Sequence, residues 1–388
     1  IAAVGHANEV PRLEWHDSVE SDLTEQIPSS MVETYDETSS SLRSADGDAE
    51  YRVVYTPLHG VGGEHVVRQL NVAGYPSVTP VPQQHEPDGN FPTVSFPNPE
   101  EPGALDLAKA LAAEGAELVV ANDPDADRLA AAVPVDGEFR TLSGNQIGLL
   151  LADYVLSNTT VDAPLVVNSI VSSPMLGTIA EAYGARWEQT LTGFKWIWNA
   201  ALDLEDEATY VFGFEEALGY SIGPYVRDKD GIATLVVFVD MAAQLAAEGS
   251  SVLGHWYELA SRHGLWVSTQ KSVVRPGTEG ADEIRAAMDL VEASPPTDID
   301  GIAVAGVTDF SVGADERPRW LPATSLVELS LGAQGRVLVR PSGTEPKLKI
   351  YVDLRADVGE RDAAGLEREL LGRATEVAAA TARYLGFD

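Results

Sequence analysis

Between residues 51 and 247 the sequence alternates short apolar runs with longer amphipathic segments. Short apolar runs bounded by turn residues are typical of buried strands, and the longer segments have the periodicity of helices. Alternating strands and helices predict α/β domains. The predicted strands are 51–55, 117–121, 129–135, 165–168, 186–191 and 210–214, and the predicted helices are 62–73, 103–113, 144–156, 174–183 and 232–247.

The pattern changes after residue 268, where several strands follow one another without a helix between them. This order is typical of an α+β domain. We predict a helix at 281–291, loops at 277–280 and 295–296, and a closing amphipathic helix at 361–384. The predicted strands of this region are 302–307, 325–331, 336–340 and 348–354.

These patterns divide the chain into four predicted parts. Residues 1–50 are irregular apart from a predicted helix at 19–35, and they resemble the tail of a domain followed by a linker. Two α/β domains are predicted at 51–160 and 161–268, and an α+β domain at 269–388. Because the chain does not start with Met, we expect it to begin within a longer protein.

The chain is strongly acidic: 60 Asp and Glu residues against 26 Lys and Arg residues give a net charge of −34. Its 44% hydrophobic content lies in periodic segments, which predicts a folded chain and not a disordered one. Self-repulsion is screened at high salt, because the Debye length falls to about 3 Å at 1 M. We therefore expect a halophilic protein that unfolds at low ionic strength.

The composition also limits the partners and the location of the protein. No basic face is present for nucleic acid, and no apolar run reaches the length of a membrane span. The absence of cysteine excludes disulfides and thiolate metal sites, and the sequence begins without a secretory signal. We expect a cytoplasmic monomer or dimer whose partners are small molecules, and neither nucleic acid nor membrane.

Three carboxylates follow the apolar run 117–121 at alternate positions: Asp123, Asp125 and Asp127, with Arg128 directly after them. In an extended loop, side chains at alternate positions project to the same side. Converging carboxylate oxygens suit a hard divalent cation such as Mg2+. The spacing alone leaves a solvated acidic loop as the alternative. An EF-hand is excluded, because an EF-hand loop requires Gly at its sixth position and Glu at its twelfth, and this loop has neither residue at those positions.

A polar loop rich in cations lies between two of the strands predicted in the last domain. Backbone N–H groups and the hydroxyls of Ser342 and Thr344 can surround a phosphate, together with Arg340 and Lys349. Gly343 permits close approach of the backbone. The loop differs from a Walker loop, which requires Gly-Lys-Ser/Thr before a helix. A hairpin loop with exposed charges is the alternative.

Two further stretches place charged side chains at the ends of predicted strands. One is a turn between a strand and a helix, and the other follows the predicted strand 210–214. A carboxylate at a strand end can accept hydrogen bonds from sugar hydroxyls, and a lysine can bind an anion or move a proton. Solvated turns are the alternative interpretation. The candidate residues are Thr192, Gly193, Lys195, Glu215, Arg227 and Lys229.

A cluster of glycines, Gly60, Gly62 and Gly63, follows the strand predicted at 51–55. Its spacing differs from the G-x-G-x-x-G fingerprint of dinucleotide-binding proteins, and no acidic residue ends a following strand at the required distance. We therefore predict a tight turn between a strand and a helix, without a nucleotide.

Taken in order, these stretches resemble the α-D-phosphohexomutase family. Its members carry a D-x-D-x-D-R metal loop, a T-G-(F/W)-K loop, a Glu-containing sugar loop followed by R-x-K-D-G, and an R-x-S-G-T phosphate loop. The resemblance extends from about residue 51 to residue 351 and beyond, and the sequences at 144–148 and 214–220 are most similar to the phosphoglucomutase/phosphopentomutase branch. The matching segments are 123–128, 192–195, 215 with 227–231, and 340–344.

The resemblance implies a heart-shaped enzyme of four domains around a central active site. The first domain supplies a phosphoserine, the second an Mg2+ loop and the third the sugar-binding loop. The fourth, a domain similar to the TATA-binding protein, binds the phosphate that does not react. The implied reaction is the interconversion of glucose 1-phosphate and glucose 6-phosphate through the phosphoserine and glucose 1,6-bisphosphate. Mannose and pentose phosphates are the alternative substrates.

The resemblance also implies a role for each candidate residue. Asp123, Asp125 and Asp127 hold Mg2+, and Arg128 and Lys229 are catalytic. The implied substrate-binding residues are Thr192, Gly193, Lys195, Glu215, Arg227, Arg340, Ser342, Gly343, Thr344 and Lys349.

The sequence departs from the family at two places. Ala217 replaces a Ser of the sugar loop, which removes one hydroxyl contact and leaves the sugar preference open. The T-(A/S)-S-H-N-P loop that carries the phosphoserine is absent from these 388 residues, and Ser172, predicted to cap a helix, lacks the His-Asn that should follow.

We expect residues 1–50 to be the tail of the phosphoserine domain, and this chain alone to lack mutase turnover. The alternative is a protein that only binds Mg2+ and sugar phosphates.

Overall fold

The computed structural model describes residues 13–21, 24–342 and 346–387. Its first sheet consists of β1 (Val53–Thr56), β2 (Val78–Pro80), β3 (Leu118–Ala121), β4 (Ala130–Val135) and β5 (Glu138–Thr141). The strands lie in the order β2-β1-β3-β4-β5, with β2, β1 and β3 parallel and the last two antiparallel. The helices of this region are α1 (Trp15–Glu20), α2 (Ser29–Ser40), α3 (Gly63–Val72) and α4 (Asp106–Ala112).

The second sheet has four strands in the order β7-β6-β8-β9, where β6 (Pro164–Ser169) is parallel to both β7 (Arg186–Thr190) and β8 (Thr209–Glu215). The edge strand β9 (Gly219–Ile222) is antiparallel to β8. The surrounding helices are α5 (Gly144–Asn158), α6 (Met175–Ala182), α7 (Phe194–Asp203), α8 (Gly231–Ala247) and α9 (Val252–His263).

The third sheet is antiparallel throughout and has the order β10-β16-β15-β14-β13. Its strands are β10 (Leu265–Val274), β13 (Gly306–Asp309), β14 (Val327–Ser330), β15 (Gly335–Pro341) and β16 (Lys347–Ala356). Two short strands, β11 (Asp298–Ile299) and β12 (Ile302–Ala303), pair separately. Helices α10 (Gly277–Ala293) and α11 (Ala363–Tyr384) complete this region.

The three sheets share a continuous apolar core. One cluster of buried side chains includes Val53 in β1, Phe212 in β8 and Val337 in β15. Glu367 of α11 also accepts a hydrogen bond of 2.8 Å from Arg140 of β5, which joins the first sheet to the last helix. Among the described residues no single helix is long and apolar enough to cross a membrane; only α8 and α9 together, bent by 90°, pass that test of length and composition.

The predicted α/β architecture with a final α+β region is confirmed, and most predicted elements are present with small shifts at their ends. The single helix predicted at 19–35 is wrong, because α1 ends at Glu20 and α2 begins at Ser29. Pro28 lies at the N-cap of α2. Proline lacks the N–H that a helix interior requires, so the break belongs here.

Two predictions for the last region are also wrong. Residues 277–280, predicted as a loop, form the first turn of α10, because this helix buries Ile284, Ala287 and Met288 and its packing outweighs the glycines. The strand predicted at 302–307 is divided into β12 and β13. Strands β2, β5, β9 and β10 and helix α9 were not predicted from the sequence. In β10, a run of polar residues interrupts the alternation of apolar and polar residues that is typical of a strand.

Candidate active site

The acidic loop begins where the buried strand β3 ends. Ligand atoms of Asp123, Asp125 and Asp127 all lie within 4.8 Å of one another, so the predicted convergence of the three carboxylates is present. Asp123 is buried, Asp127 is half-buried and Asp125 is exposed. This donor set of oxygens fits a hard divalent cation, and three carboxylates supply only part of the ligands that such an ion takes.

The shape of the loop is fixed by its neighbours. Tyr55 donates a hydrogen bond of 3.0 Å to the buried Asn122, whose amide donates in turn to the Arg128 carbonyl at 2.6 Å. The glycine cluster packs directly on the loop, because a Cβ at Gly60 would lie 2.4 Å from Cα of Pro124. The predicted tight turn therefore also serves as the support of the acidic loop.

Two cations lie against the carboxylates. Arg128 donates through Nε to Asp123 at 2.5 Å, and Lys229 Nζ lies 3.0 Å from Asp127. Burial raises the pKa of Asp123 against the opposing effect of Arg128. Burial lowers the pKa of Lys229, but the hydrogen bond and charge of Asp127 outweigh it and raise that pKa. Lys229 comes from the turn before α8, so the second region contributes directly to the acidic loop.

The predicted sugar loop lies at the end of β8. Oε1 of Glu215 accepts a hydrogen bond of 2.6 Å from the backbone N–H of Gly193, which joins two of the predicted stretches. Burial raises the pKa of Glu215 to about 7, although the Gly193 N–H opposes the shift. The Glu215 carboxyl group therefore loses its proton and becomes negatively charged as the pH rises through about 7.

The phosphate-binding candidates come from the third sheet. Arg340 of β15 donates through Nη1 to the hydroxyl of Thr192, so this sheet meets the Thr192–Gly193 turn. Lys349 lies opposite Arg340 in the β15–β16 register, and burial together with the neighbouring Arg340 lowers the pKa of Lys349. Ser342 donates its backbone N–H to the Lys347 carbonyl at 2.7 Å.

The remaining candidates are less closely tied to the site. Lys195 is exposed, with Nζ 5.3 Å from the centre of the Trp196 ring, and Arg227 is also exposed. Gly343 and Thr344 lie outside the described residues. The contacts described above join Asp127 to Lys229, Gly193 to Glu215, and Thr192 to Arg340. The binding and catalytic roles of all the candidate residues stay predictions.

A cavity of about 490 Å3 opens beside these residues, between the three sheets. Lys349 and Glu216 both line it, next to Ser268 of β10. Among the described residues Lys349 Nζ forms no hydrogen bond or ion pair, and it lies 5.9 Å from the centre of the Tyr351 ring. A cation without a partner beside a cavity is suited to an anionic ligand.

Sequence reasoning missed several residues that shape the site. Asn98 accepts a hydrogen bond of 3.2 Å from Arg128, a contact that the sequence did not indicate. Gly231 belongs to the matching segment 227–231, but its packing against the Arg128 backbone was also not predicted. The prediction that Ser172 caps a helix is wrong. Its hydroxyl lies 3.1 Å from Oε2 of Glu216, and α6 begins without a side-chain cap. No local sequence signal marks these contacts, because each joins segments far apart in the chain.

The pKa of Glu215 gives a prediction for ligand binding. Only the ionised carboxylate is purely an acceptor for sugar hydroxyls, so affinity for a sugar phosphate, the ligand class that the sequence resemblance implies, should rise as pH increases through about 7. We expect about a tenfold gain from about pH 6 to about pH 8, as for one titrating group. Calorimetric titrations of the wild type and of Glu215→Gln measure the effect. The variant retains the titration of the ligand itself, so an equal gain in both proteins would refute this assignment.

Three family profiles match the chain in order. The profile of phosphoglucomutase/phosphomannomutase alpha/beta/alpha domain II matches residues 32–136, that of domain III matches 143–259, and that of the C-terminal domain matches 283–363. The predicted boundaries after residues 50, 160 and 268 stay predictions.

Curated relatives extend the match over most of the chain. The "Probable phosphomannomutase" of Haemophilus influenzae is 39% identical over 91% of this chain and 68% of its own length. The human "Phosphopentomutase" is 33% identical over 84% of this chain and 57% of its own length. The chain therefore belongs to the phosphoglucomutase/phosphomannomutase family, and it spans roughly three fifths of the length of these relatives.

The fold is also found among solved structures. Parafusin, a phosphoglucomutase of Paramecium in an open form, matches 93% of this chain and 62% of its own with a TM-score of 0.66. The sequence identity is 16%, so the match concerns the fold alone. The predicted membership of the phosphohexomutase family is confirmed by the profiles and the curated relatives.

Proposed function

We propose that this chain is the metal-, sugar- and phosphate-binding part of a phosphosugar mutase, with glucose 1-phosphate and glucose 6-phosphate as its substrate pair. One observation carries the proposal: residues from all three sheets meet in one place. Lys229 contacts Asp127, Glu215 accepts from the Thr192–Gly193 turn, and Arg340 contacts the same turn. A ligand with a sugar at one end and a phosphate at the other fits this arrangement.

The chemistry of such a site depends mainly on position and charge. Mg2+ held by Asp123, Asp125 and Asp127 would stabilise negative charge on a phosphoryl group during transfer. Arg128 fixes the orientation of Asp123. Lys229 retains its proton at Nζ, because Asp127 raises its pKa, and it can donate that proton in a hydrogen bond to a sugar or phosphate oxygen.

The phosphate assignment is tested by Arg340→Ala. Loss of a charge-assisted donor should weaken the binding of every sugar phosphate by about 10- to 100-fold, whichever sugar it carries. Isothermal titration with glucose, mannose and ribose 1-phosphates measures this effect. Arg52→Ala, which removes an exposed arginine directly before β1, is the control and should bind as the wild type does. Unchanged affinity of Arg340→Ala would refute the assignment.

The same titrations separate the sugar site from the phosphate site. Glu215→Gln should weaken sugar phosphates by about 5- to 10-fold through lost hydroxyl contacts, and it should leave inorganic phosphate unaffected. Equal weakening of both ligands would contradict a sugar-binding role for Glu215.

The identity of the sugar has an open alternative. Curated relatives are named for phosphopentomutase and phosphomannomutase activities, and Ala217 removes one hydroxyl from the sugar loop. Turnover of a panel of 1-phosphosugars by the complete protein, with a sugar bisphosphate as activator, decides between these sugars. Preference for ribose 1-phosphate over glucose 1-phosphate would replace the glucose pair by a pentose pair. Binding without turnover in every case would favour a protein that only binds sugar phosphates.

A further inference from the structure

The sugar loop is tied to a buried pair of serines. Ser172 lies with its hydroxyl 3.1 Å from Oε2 of Glu216, and the backbone N–H of Glu216 donates to the same hydroxyl at 3.0 Å. Ser169 lies 2.7 Å from Ser172 and 3.2 Å from Glu216. Both serines are fully buried, whereas Glu216 is half-buried. The residue directly after Glu215 is therefore held by both its side chain and its backbone.

The other side of Ser172 contacts the third sheet. Its carbonyl accepts a hydrogen bond of 2.9 Å from Nη2 of Arg336. Arg336 donates through Nε to Asp353 at 2.8 Å, and Asp353 also accepts from Ser268 at 2.6 Å. Arg336 and Asp353 are 7% and 1% exposed, so solvent competes little for these contacts. Ser172 thus contacts the sugar loop and the third sheet at the same time.

Arg336 belongs to the same strand as the phosphate candidate. Arg336 and Arg340 lie four residues apart in β15, and side chains at even spacings in a strand share one face. This strand therefore reaches the sugar loop by two routes: Arg336 through Ser172, and Arg340 through the Thr192–Gly193 turn that donates to Glu215. The contact of Arg340 with Thr192 occupies a side chain that a phosphate would need, whereas the contact of Arg336 with Ser172 leaves every ligand-binding group free.

We propose that Glu216, Ser172 and Arg336 form a bridge that fixes the distance between Glu215 and Arg340. These three are positioning residues, and the inference rests on the proposed function, because only a ligand that spans both groups senses this distance. The cavity beside the bridge is lined by Glu216 as well as by Lys349, so the loop has open space into which it can move once released.

A ligand that binds two sites at once depends on their spacing. Its affinity exceeds that for either end because the second contact forms at a high effective concentration, and this advantage falls when the two sites move relative to each other. Inorganic phosphate contacts one site only. Loosening the bridge should therefore weaken sugar phosphates while leaving inorganic phosphate unchanged.

The test uses the 388-residue chain and Ser172→Ala, which removes the hydroxyl that holds Glu216. We expect about 5- to 20-fold weaker binding of glucose 1-phosphate and no change for inorganic phosphate, both measured by calorimetry. Ser221→Ala is the matched control: Ser221 is a buried serine of β9 whose hydroxyl, among the described residues, contacts only the Val226 carbonyl, at 3.5 Å. It should bind both ligands as the wild type does.

A second pair of variants tests the bridge at Glu216, its half-buried residue. Glu216→Ala should reproduce the selective loss, and Glu216→Gln should restore most of it because the amide oxygen still accepts a hydrogen bond from Ser172. Thermal melting shows whether each variant folds. Equal losses for both ligands, or no loss in either alanine variant, would overturn the bridge. Failure of the wild type to bind glucose 1-phosphate more tightly than phosphate would instead refute the proposed function.

Discussion

The protein is expected to lose most of its thermal stability when salt is removed. With a net charge of −34, like charges repel one another across the whole molecule in dilute buffer, where the Debye length is about 30 Å at 0.01 M. At about 1 M it is about 3 Å, and the repulsion is screened. Melting followed by circular dichroism should show a midpoint at least about 10 °C lower in dilute buffer than in molar KCl, because charge self-repulsion destabilises the compact state.

The surface, and not the buried carboxylates, should cause this dependence. Buried acids have donors within the fold: Asp240 accepts from Tyr75 and Tyr154, and Asp353 is paired with Arg336. A variant with four exposed acids changed to Lys takes the net charge from −34 to −26 and should depend less on salt. The four positions, which form no ion pair among the described residues, are Glu114, Glu205, Asp206 and Glu360. The halophilic interpretation would be refuted if the wild type and the variant had the same salt dependence. It would also be refuted if the melting midpoint of the wild type were the same in dilute buffer and in molar KCl.

The second large effect is expected at Gly144, the first residue of α5. A Cβ at this position would lie 1.8 Å from the backbone carbonyl oxygen of Glu216, so even alanine must displace either the helix or the sugar loop. Overpacking against a backbone atom should lower the free energy of unfolding of Gly144→Ala by about 3 kcal/mol. Chemical denaturation in high salt measures this loss. Binding of glucose 1-phosphate should weaken as well, because the displaced carbonyl belongs to the residue after Glu215.

Gly372 provides the matched control. It lies inside α11, and a Cβ there would meet no heavy atom within 4 Å. Gly372→Ala should therefore stabilise the protein by about 0.5–1 kcal/mol, as alanine does in an open helix interior. If both substitutions had effects of the same sign and size, the close contact at Gly144 would not be the cause of its effect.

Much of the candidate site could be predicted because its residues lie in short local motifs. Asp123, Asp125 and Asp127 converge as their alternate spacing predicts. Glu215 and Arg340 both lie at the ends of strands, where a rigid sheet directs the side chain into the site. Such motifs work locally, since the backbone of a few residues is enough to orient their side chains.

Other parts of the site could not be predicted from single segments. The Arg336–Ser172 contact joins residues 164 positions apart, and Glu216 reaches Ser172 over 44 positions. Even the glycine cluster, predicted only as a turn, lies against residues remote in sequence: a Cβ at Gly60 would meet Pro124, and a Cβ at Gly62 would meet Ala126. Hydrogen bonds of this kind depend on how sheets pack, which periodicity along the chain does not specify.

The sequence by itself determined the α/β order, the family resemblance, the acidic character and the candidate side chains for binding metal, sugar and phosphate. These properties follow from local periodicity, charge and short motifs. Only the tertiary structure decided how Lys229 meets Asp127, how Arg340 meets Thr192, and how a buried serine holds the sugar loop. The reason is that packing of the three sheets in one core brings together side chains from distant segments and fixes the distances between them.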